Sequence, residues 1–102
     1  MSELRDILYN AGLENSAENL VFQELSDYVE KVKNETNPPF CVCSICLADV
    51  AAIVLNDLKP SYSSNFIDKD KRFEYYSKYR SQVQRKIIEA FEVVKKNPHH
   101  GK

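Results

Sequence analysis

Glycine is almost missing from this chain. Only Gly12 and Gly101 occur in 102 residues. A glycine-rich phosphate cradle, whether GxGxxG or a Walker loop, is therefore excluded. So few positive-φ positions also argue against a fold of many β-hairpins. Tryptophan is absent, and the two histidines, His99 and His100, sit together in the tail. A Ser-His-Asp or Cys-His catalytic arrangement inside the folded body thus has no base to work with. No run approaches the ~18–20 apolar residues of a membrane span. The N-terminus, Met1 to Asp6, lacks a basic segment followed by an apolar one, so no signal peptide is expected. These absences leave a soluble, cytoplasmic, non-enzymatic protein as the expectation.

What is present reads as helix. Residues 1–97 are expected to form a single all-α domain of four helices, with 98–102 as a disordered tail. Ser2 is a candidate N-cap, Leu4, Ile7, Leu8 and Ala11 recur at helical spacing, and Gly12 sits where a C′ glycine stops a helix. Leu13 follows as the hydrophobic contact after that stop. A second helix is predicted from Ser16 to Asn34, capped by Asn15 or Ser16, with Val21, Leu25, Tyr28, Val29 and Val32 as its apolar stripe. Glu24 falls on an outer face in this reading. Pro38 and Pro39 forbid continuation. A third helix is predicted from Ser44 to Leu58. Its stripe of Leu47, Val50, Ala51, Val54, Leu55 and Leu58 is joined by Ile45, Ala48, Ala52 and Ile53, so it is apolar nearly all round. Such a helix is buried on more than one face, which a short chain cannot supply alone.

The fourth helix is predicted from a cap at Asp68, with Ile67 as a hydrophobic staple, to about Lys95. Phe73, Tyr76, Val83, Ile87, Phe91 and Val94 form its stripe, interrupted by Arg80. At 1.5 Å per residue it is about 42 Å long. Both long apolar features point to a homodimer, intertwined or helix-packed. Period-two alternation is absent, so no strand is predicted.

Charge is unevenly spread. Residues 1–30 carry seven acids (Glu3, Asp6, Glu14, Glu18, Glu24, Asp27, Glu30) against Arg5 alone. Residues 59–86 carry eight bases (Lys59, Lys69, Lys71, Arg72, Lys78, Arg80, Arg85, Lys86) against three acids. Tyr62, Tyr75, Tyr76 and Tyr79 interleave with those bases. Aromatic faces stack on bases and arginine binds phosphate bidentately. An anionic nucleotide is therefore a possible ligand, although a solvated charged face explains the same residues. Asp68, Asp70 and Glu74 dilute the basic stretch, which argues against DNA or RNA.

The three cysteines fall within six positions, as Cys41, Cys43 and Cys46. An odd, tight set is a poor disulfide framework. Clustered thiols in a reducing compartment point to metal or redox chemistry. CxxC spacing brings two sulfurs together where a loop meets a helix N-terminus, whose dipole favours thiolates, and CxC adds a third. Zinc fits this donor set, but it takes four ligands. The fourth is open between Asp49, a tail histidine, a cysteine of a second subunit and water. A Cys43–Cys46 exchange pair and three free thiols are the alternatives to zinc.

From Cys41 onward a longer pattern is visible. The CxCxxC cysteines are followed by Asp49-Val50, Ala52, Leu55-Asn56, Leu58 and Pro60-x-Tyr62. Together with the preceding helix, over residues 16–62, this resembles the late-competence ComFB family of bacteria. The resemblance implies a small helical homodimer that binds zinc at the cysteine motif and has a regulatory role. It also implies a cyclic dinucleotide as ligand, with outputs in competence, motility or type IV pili. This chain departs from a four-thiolate site, having no fourth cysteine. Asp49, Asn56, Pro60, Tyr62, Arg72 and Arg80 are the candidate ligand-binding residues. For the first four, a structural lock at the end of the third helix competes with a ligand site.

Overall fold

The computed structural model describes residues 2–37, 39–64 and 70–97, with the side chains of 2 and 70–72 outside that description. Pro38, Asp68, Ile67 and the tail 98–102, each named above, lie outside it. The element order is α1 (Ser2–Asn10), β1 (Glu14–Asn15), α2 (Ser16–Val32), α3 (Ser44–Asn56), β2 (Tyr62–Ser63) and α4 (Asp70–Lys96). The described residues are all-α in class, with four helices and one two-residue ladder. Among the described residues no helix is long and apolar enough to cross a membrane.

Helix α1 stops as its sequence dictates. Gly12 has φ 114°, a conformation that a Cβ would penalise. It allows Leu13 N–H to bond Leu8 O at 3.0 Å and Gly12 N–H to bond Tyr9 O at 3.1 Å. This pair of bonds closes the helix end in a Schellman motif. The rest of α1 holds a surprise. Leu4, Ile7 and Leu8 are 60%, 57% and 43% exposed, so its apolar stripe is not part of this chain's core. Arg5 and Tyr9, a different face, tether α1 to the first turn of α2 through Glu18, with Tyr9 Oη donating at 3.2 Å.

The short ladder corrects the expectation of no strand. Glu14 pairs with Ser63 and Asn15 with Tyr62, antiparallel. Two residues per strand leave no visible alternation, and the pairing spans nearly fifty residues. Asn15 explains why it forms. Its Oδ1 accepts from Ala17 N at 3.1 Å, capping α2, and from Ser61 N at 3.0 Å, holding the loop after α3. Ser16 N–H donates to Ser61 O at 2.7 Å. One buried amide thus ends a linker, starts a helix and fixes a distant loop. Asn15→Ala is expected to cost about 2–3 kcal/mol, a lost cap of about 1 plus a poorly satisfied Ser61 N–H. Urea unfolding measures this. Asn15→Asp, which keeps the acceptor, is expected to retain most of the stability.

Helices α2, α3 and α4 pack on one another around Leu20, Val21, Val50, Val54, Val83 and Phe91. Helix α4 has 27 residues, and the longest molecular dimension is 45 Å, so this helix sets the molecule's length. Its stripe is shifted from expectation at the N-terminal end. Phe73 is 64% exposed, while Tyr75 and Ala90 join Val83, Ile87, Phe91 and Val94 inside. Helix α3 ends at Asn56, two residues early, in a tightened turn with Asp57 N–H on Val54 O and Leu58 N–H on Leu55 O. Helix α2 likewise ends at Val32, with Lys33 still in αR.

Candidate metal centre

The loop from Pro39 leads Phe40 into the core before the cysteines begin. Phe40 stacks on Phe91 at 5.1 Å between ring centroids and 16° between planes. Tyr28 covers the same Phe91 ring at 4.9 Å. This aromatic anchor joins the loop to α2 and α4 and delivers the next residue, Cys41, to the start of α3.

Cys43 is the N-cap of α3, with extended φ −68° and ψ 163°, and its Sγ accepts from Cys46 N at 3.4 Å. A thiol standing where Ser or Asp usually sits takes over an orphan helix N–H. The three sulfurs lie within 4.8 Å of one another. Cys46 is buried, Cys43 half-buried and Cys41 exposed. The Cys46 backbone N–H holds the Cys43 thiol below its ordinary value, against a smaller opposing effect of burial. Burial pushes the Cys46 thiol up to about 12, reinforced by hydrogen bonds with Cys43 and Cys41. A dication would reverse the second effect by favouring the thiolate. Tetrahedral sulfurs about 2.3 Å from zinc stand about 3.8 Å apart. The sulfurs therefore need to move together by at most about 1 Å. The donor set and its convergence fit a zinc ion.

Asp49, the candidate fourth ligand within α3, is not part of the sulfur group. It lines a separate hollow of about 210 Å³ with Asn56, Ile53, Val93 and Asn97, between α3 and α4. Asp49 and Asn56 do share one side of α3, as their spacing of seven residues predicts. Neither Pro60, Tyr62 nor Arg80 lines that hollow. Pro60 and Tyr62 are exposed on the loop after α3, Tyr62 in the ladder opposite Asn15. The side chain of Arg72 lies outside the described residues. Behind the loop, Tyr75 Oη donates to Lys59 O at 3.0 Å and its ring meets Tyr79 at 4.6 Å.

Arg80 has a partner that periodicity did not reveal. Its Nε donates to Glu24 Oε2 at 3.1 Å, and Gln84 Nε2 donates to Glu24 Oε1 at 2.8 Å. Glu24 is buried, which corrects its assignment to an outer face. A buried acid is tolerated when both oxygens are satisfied. The available signal was Arg80 itself, a charge on an apolar stripe. Arg80→Ala is expected to cost about 1 kcal/mol, discounted because Arg80 is largely exposed. Glu24→Gln in the same chain should recover part of it in urea unfolding; no recovery would mean Arg80 matters through packing alone.

The sequence model of the family "Late competence development protein ComFB" matches residues 14–98. The chain belongs to the ComFB family. The match extends the resemblance beyond residues 16–62 to the whole of α4. Among solved structures, the late competence protein ComFB from Bacillus subtilis superposes with a TM-score of 0.63 at 24% identity. That match covers 87% of this chain and 94% of the other, and it shows a shared fold. No curated protein sequence matches the chain. The family match takes in the CxCxxC cysteines and Asp49, Asn56 and Tyr62, and the shared fold is the helical architecture described above. Helix α1, before residue 14, lies outside the family match.

Proposed function

We propose that this ComFB-family chain is a non-catalytic bacterial regulator, a zinc-stabilised homodimer that binds a cyclic dinucleotide. On this reading it works in the cytoplasm and signals to competence, motility or type IV pilus systems. The observation that carries the zinc part is the three-sulfur cluster at the N-terminus of α3. Such a centre ties the loop after α2 to α3 and leaves chemistry to no side chain. A dimer is supported by two exposed apolar features. One is the stripe of α1. The other is a groove of about 500 Å³ between α2 and α3, lined by Phe22, Leu25, Val29, Leu47, Ala48 and Ala51. Small alanines there allow close helix approach. The cyclic dinucleotide is supported by exposed Tyr62 and by the basic, tyrosine-bearing stretch around Lys59, Lys78 and Tyr79. With so little glycine, side chains would hold its phosphates.

Native mass spectrometry tests the assembly: twice 11.8 kDa with one zinc per chain is expected. A metal-free monomer at tens of micromolar would overturn it. Calorimetric titration with cyclic di-AMP and cyclic di-GMP tests the ligand, and no heat at high micromolar concentration removes that part. A second reading is a zinc-stapled protein-interaction module without a small ligand. It is favoured by Arg80, whose guanidinium is already engaged with Glu24. A protein partner recovered in the absence of nucleotide, together with flat calorimetry, would select it.

A further inference from the structure

Two apolar surfaces of this chain lie open, and their shapes are opposite. One is convex. Leu4, Ile7 and Leu8 recur at i, i+3 and i+4 on α1 and are 60%, 57% and 43% exposed. The other is concave, the groove of about 500 Å³ between α2 and α3. Its walls run from Phe22 to Glu30 on α2 and from Ser44 to Ala51 on α3. Those stretches match the nine residues of α1 in length, about 13 Å of helix at 1.5 Å per residue. Side chains at i, i+3 and i+4 are the anchors by which an amphipathic helix lies in a groove. Ala48 and Ala51 keep the α3 wall low, so a third helix can come close. Within one chain the two surfaces do not meet. Arg5 and Tyr9, on another side of α1, hold it to Glu18, and no described residue of α1 lines the groove. Glu18 and Phe22 are four apart on α2 and share a face, so α1 stands beside the Phe22 end of the groove with its stripe turned outward.

We infer that α1 of one copy seats Leu4, Ile7 and Leu8 in the α2–α3 groove of a second copy, which returns its own α1 in exchange. The inference rests on the homodimer reading above and names its contact. A second copy is the occupant because an exchange about a two-fold axis covers both surfaces at once, helix on groove and groove on helix. A partner of another kind that filled the groove would leave the stripe of α1 exposed. The position of α1 beside its own groove puts the two reciprocal contacts side by side, in one continuous apolar interface of the kind that permanent homodimers use. Helix α1 precedes the family match at 14–98, so this contact belongs to the chain's own N-terminal segment.

Sedimentation equilibrium of the full chain tests this with two variants. Leu8→Glu puts a charge on the stripe and Ala48→Arg puts one in the groove, both at exposed positions. Each alone is expected to weaken dimerisation by about a hundredfold or more, because both contacts of its homodimer are damaged. Mixed in equal amounts, the two variants form a heterodimer with one unaltered helix–groove contact and opposite charges facing in the other. The mixture is therefore expected to return to within about tenfold of the wild-type dissociation constant. A dimeric wild type whose two variants are unweakened overturns the inference and leaves the homodimer reading standing. Folded variants that turn monomeric and do not recover on mixing overturn it too, since the two surfaces then do not meet. A wild-type chain that is monomeric at tens of micromolar overturns both readings together. Circular dichroism checks that each variant keeps its helix. If either unfolds, Leu4→Lys mixed with Phe22→Asp, at positions 60% and 51% exposed, repeats the exchange with the charges reversed.

Discussion

Phe91→Ala is expected to lower unfolding free energy by about 3–5 kcal/mol, the usual cost of emptying a buried aromatic site. Phe91 is 1% exposed and carries two ring contacts, one with Phe40 and one with Tyr28. Pairs of this kind add about 0.5–1.5 kcal/mol beyond buried area. For a domain of this size each kcal/mol moves the midpoint by about 4–8 °C, so a fall of at least about 12 °C is anticipated in a thermal melt. The effect should reach the cysteines. Phe40 has lost its stacking partner, and Phe40 immediately precedes Cys41. Metal affinity, measured against a chromophoric chelator, should therefore weaken in the same variant. Ser81→Ala, exposed on the same helix, is expected to change stability by less than about 0.5 kcal/mol. Unchanged metal affinity in a folded Phe91→Ala protein would show that the cysteine loop is held by something other than the aromatic anchor.

On the proposed zinc reading, removing the metal is the second large effect expected. A ligand that binds only the folded chain stabilises it by about 2.7 kcal/mol when present at a hundred times its dissociation constant. Excess chelator should therefore lower the melting midpoint by about 10–20 °C. The cysteines should then separate by burial. Cys41→Ser, at an exposed position, should resemble the chelated wild type and lose almost nothing further when chelator is added. Cys46→Ser should fall lower still, because it also places a hydroxyl in a buried position, worth about 1–3 kcal/mol if unpaired. A melting midpoint that ignores chelator in a protein purified with its metal would remove the stapling role. If both serine variants melt together, burial of Cys46 contributes nothing.

Much of the fold was legible because the helices are amphipathic and have clear ends. The four helices appear where periodicity places them, and α3 begins at Ser44 as the cysteine spacing requires. Gly12 stops α1 through local backbone geometry, which depends on few other residues. Apart from the early ends of α2 and α3, the misses depend on a surface or partner that lies distant in sequence or outside the segment. Glu24 looks like a surface acid until Arg80 and Gln84, some sixty positions away, reach its oxygens. The ladder between Asn15 and Tyr62 is too short for any alternating pattern. The stripe of α1 is a true helical stripe, but spacing cannot say which surface it meets. The same limit applies to the candidate site. Asp49 is one helical turn from Cys46, which makes it eligible as a ligand, yet α4 draws that face into a different hollow.

The sequence by itself determined the helical class, the stop at Gly12, the absence of a glycine-rich phosphate loop, and the three-sulfur motif. These follow from local rules: helix spacing, allowed φ values and the chemistry of nearby thiols. Tertiary structure alone decided which sulfur is buried, which acid is satisfied inside, where Asp49 lies, and that the apolar face of α1 is left at the surface. Burial and hydrogen-bond satisfaction depend on how α2, α3 and α4 cross, and no single segment of the chain carries that information.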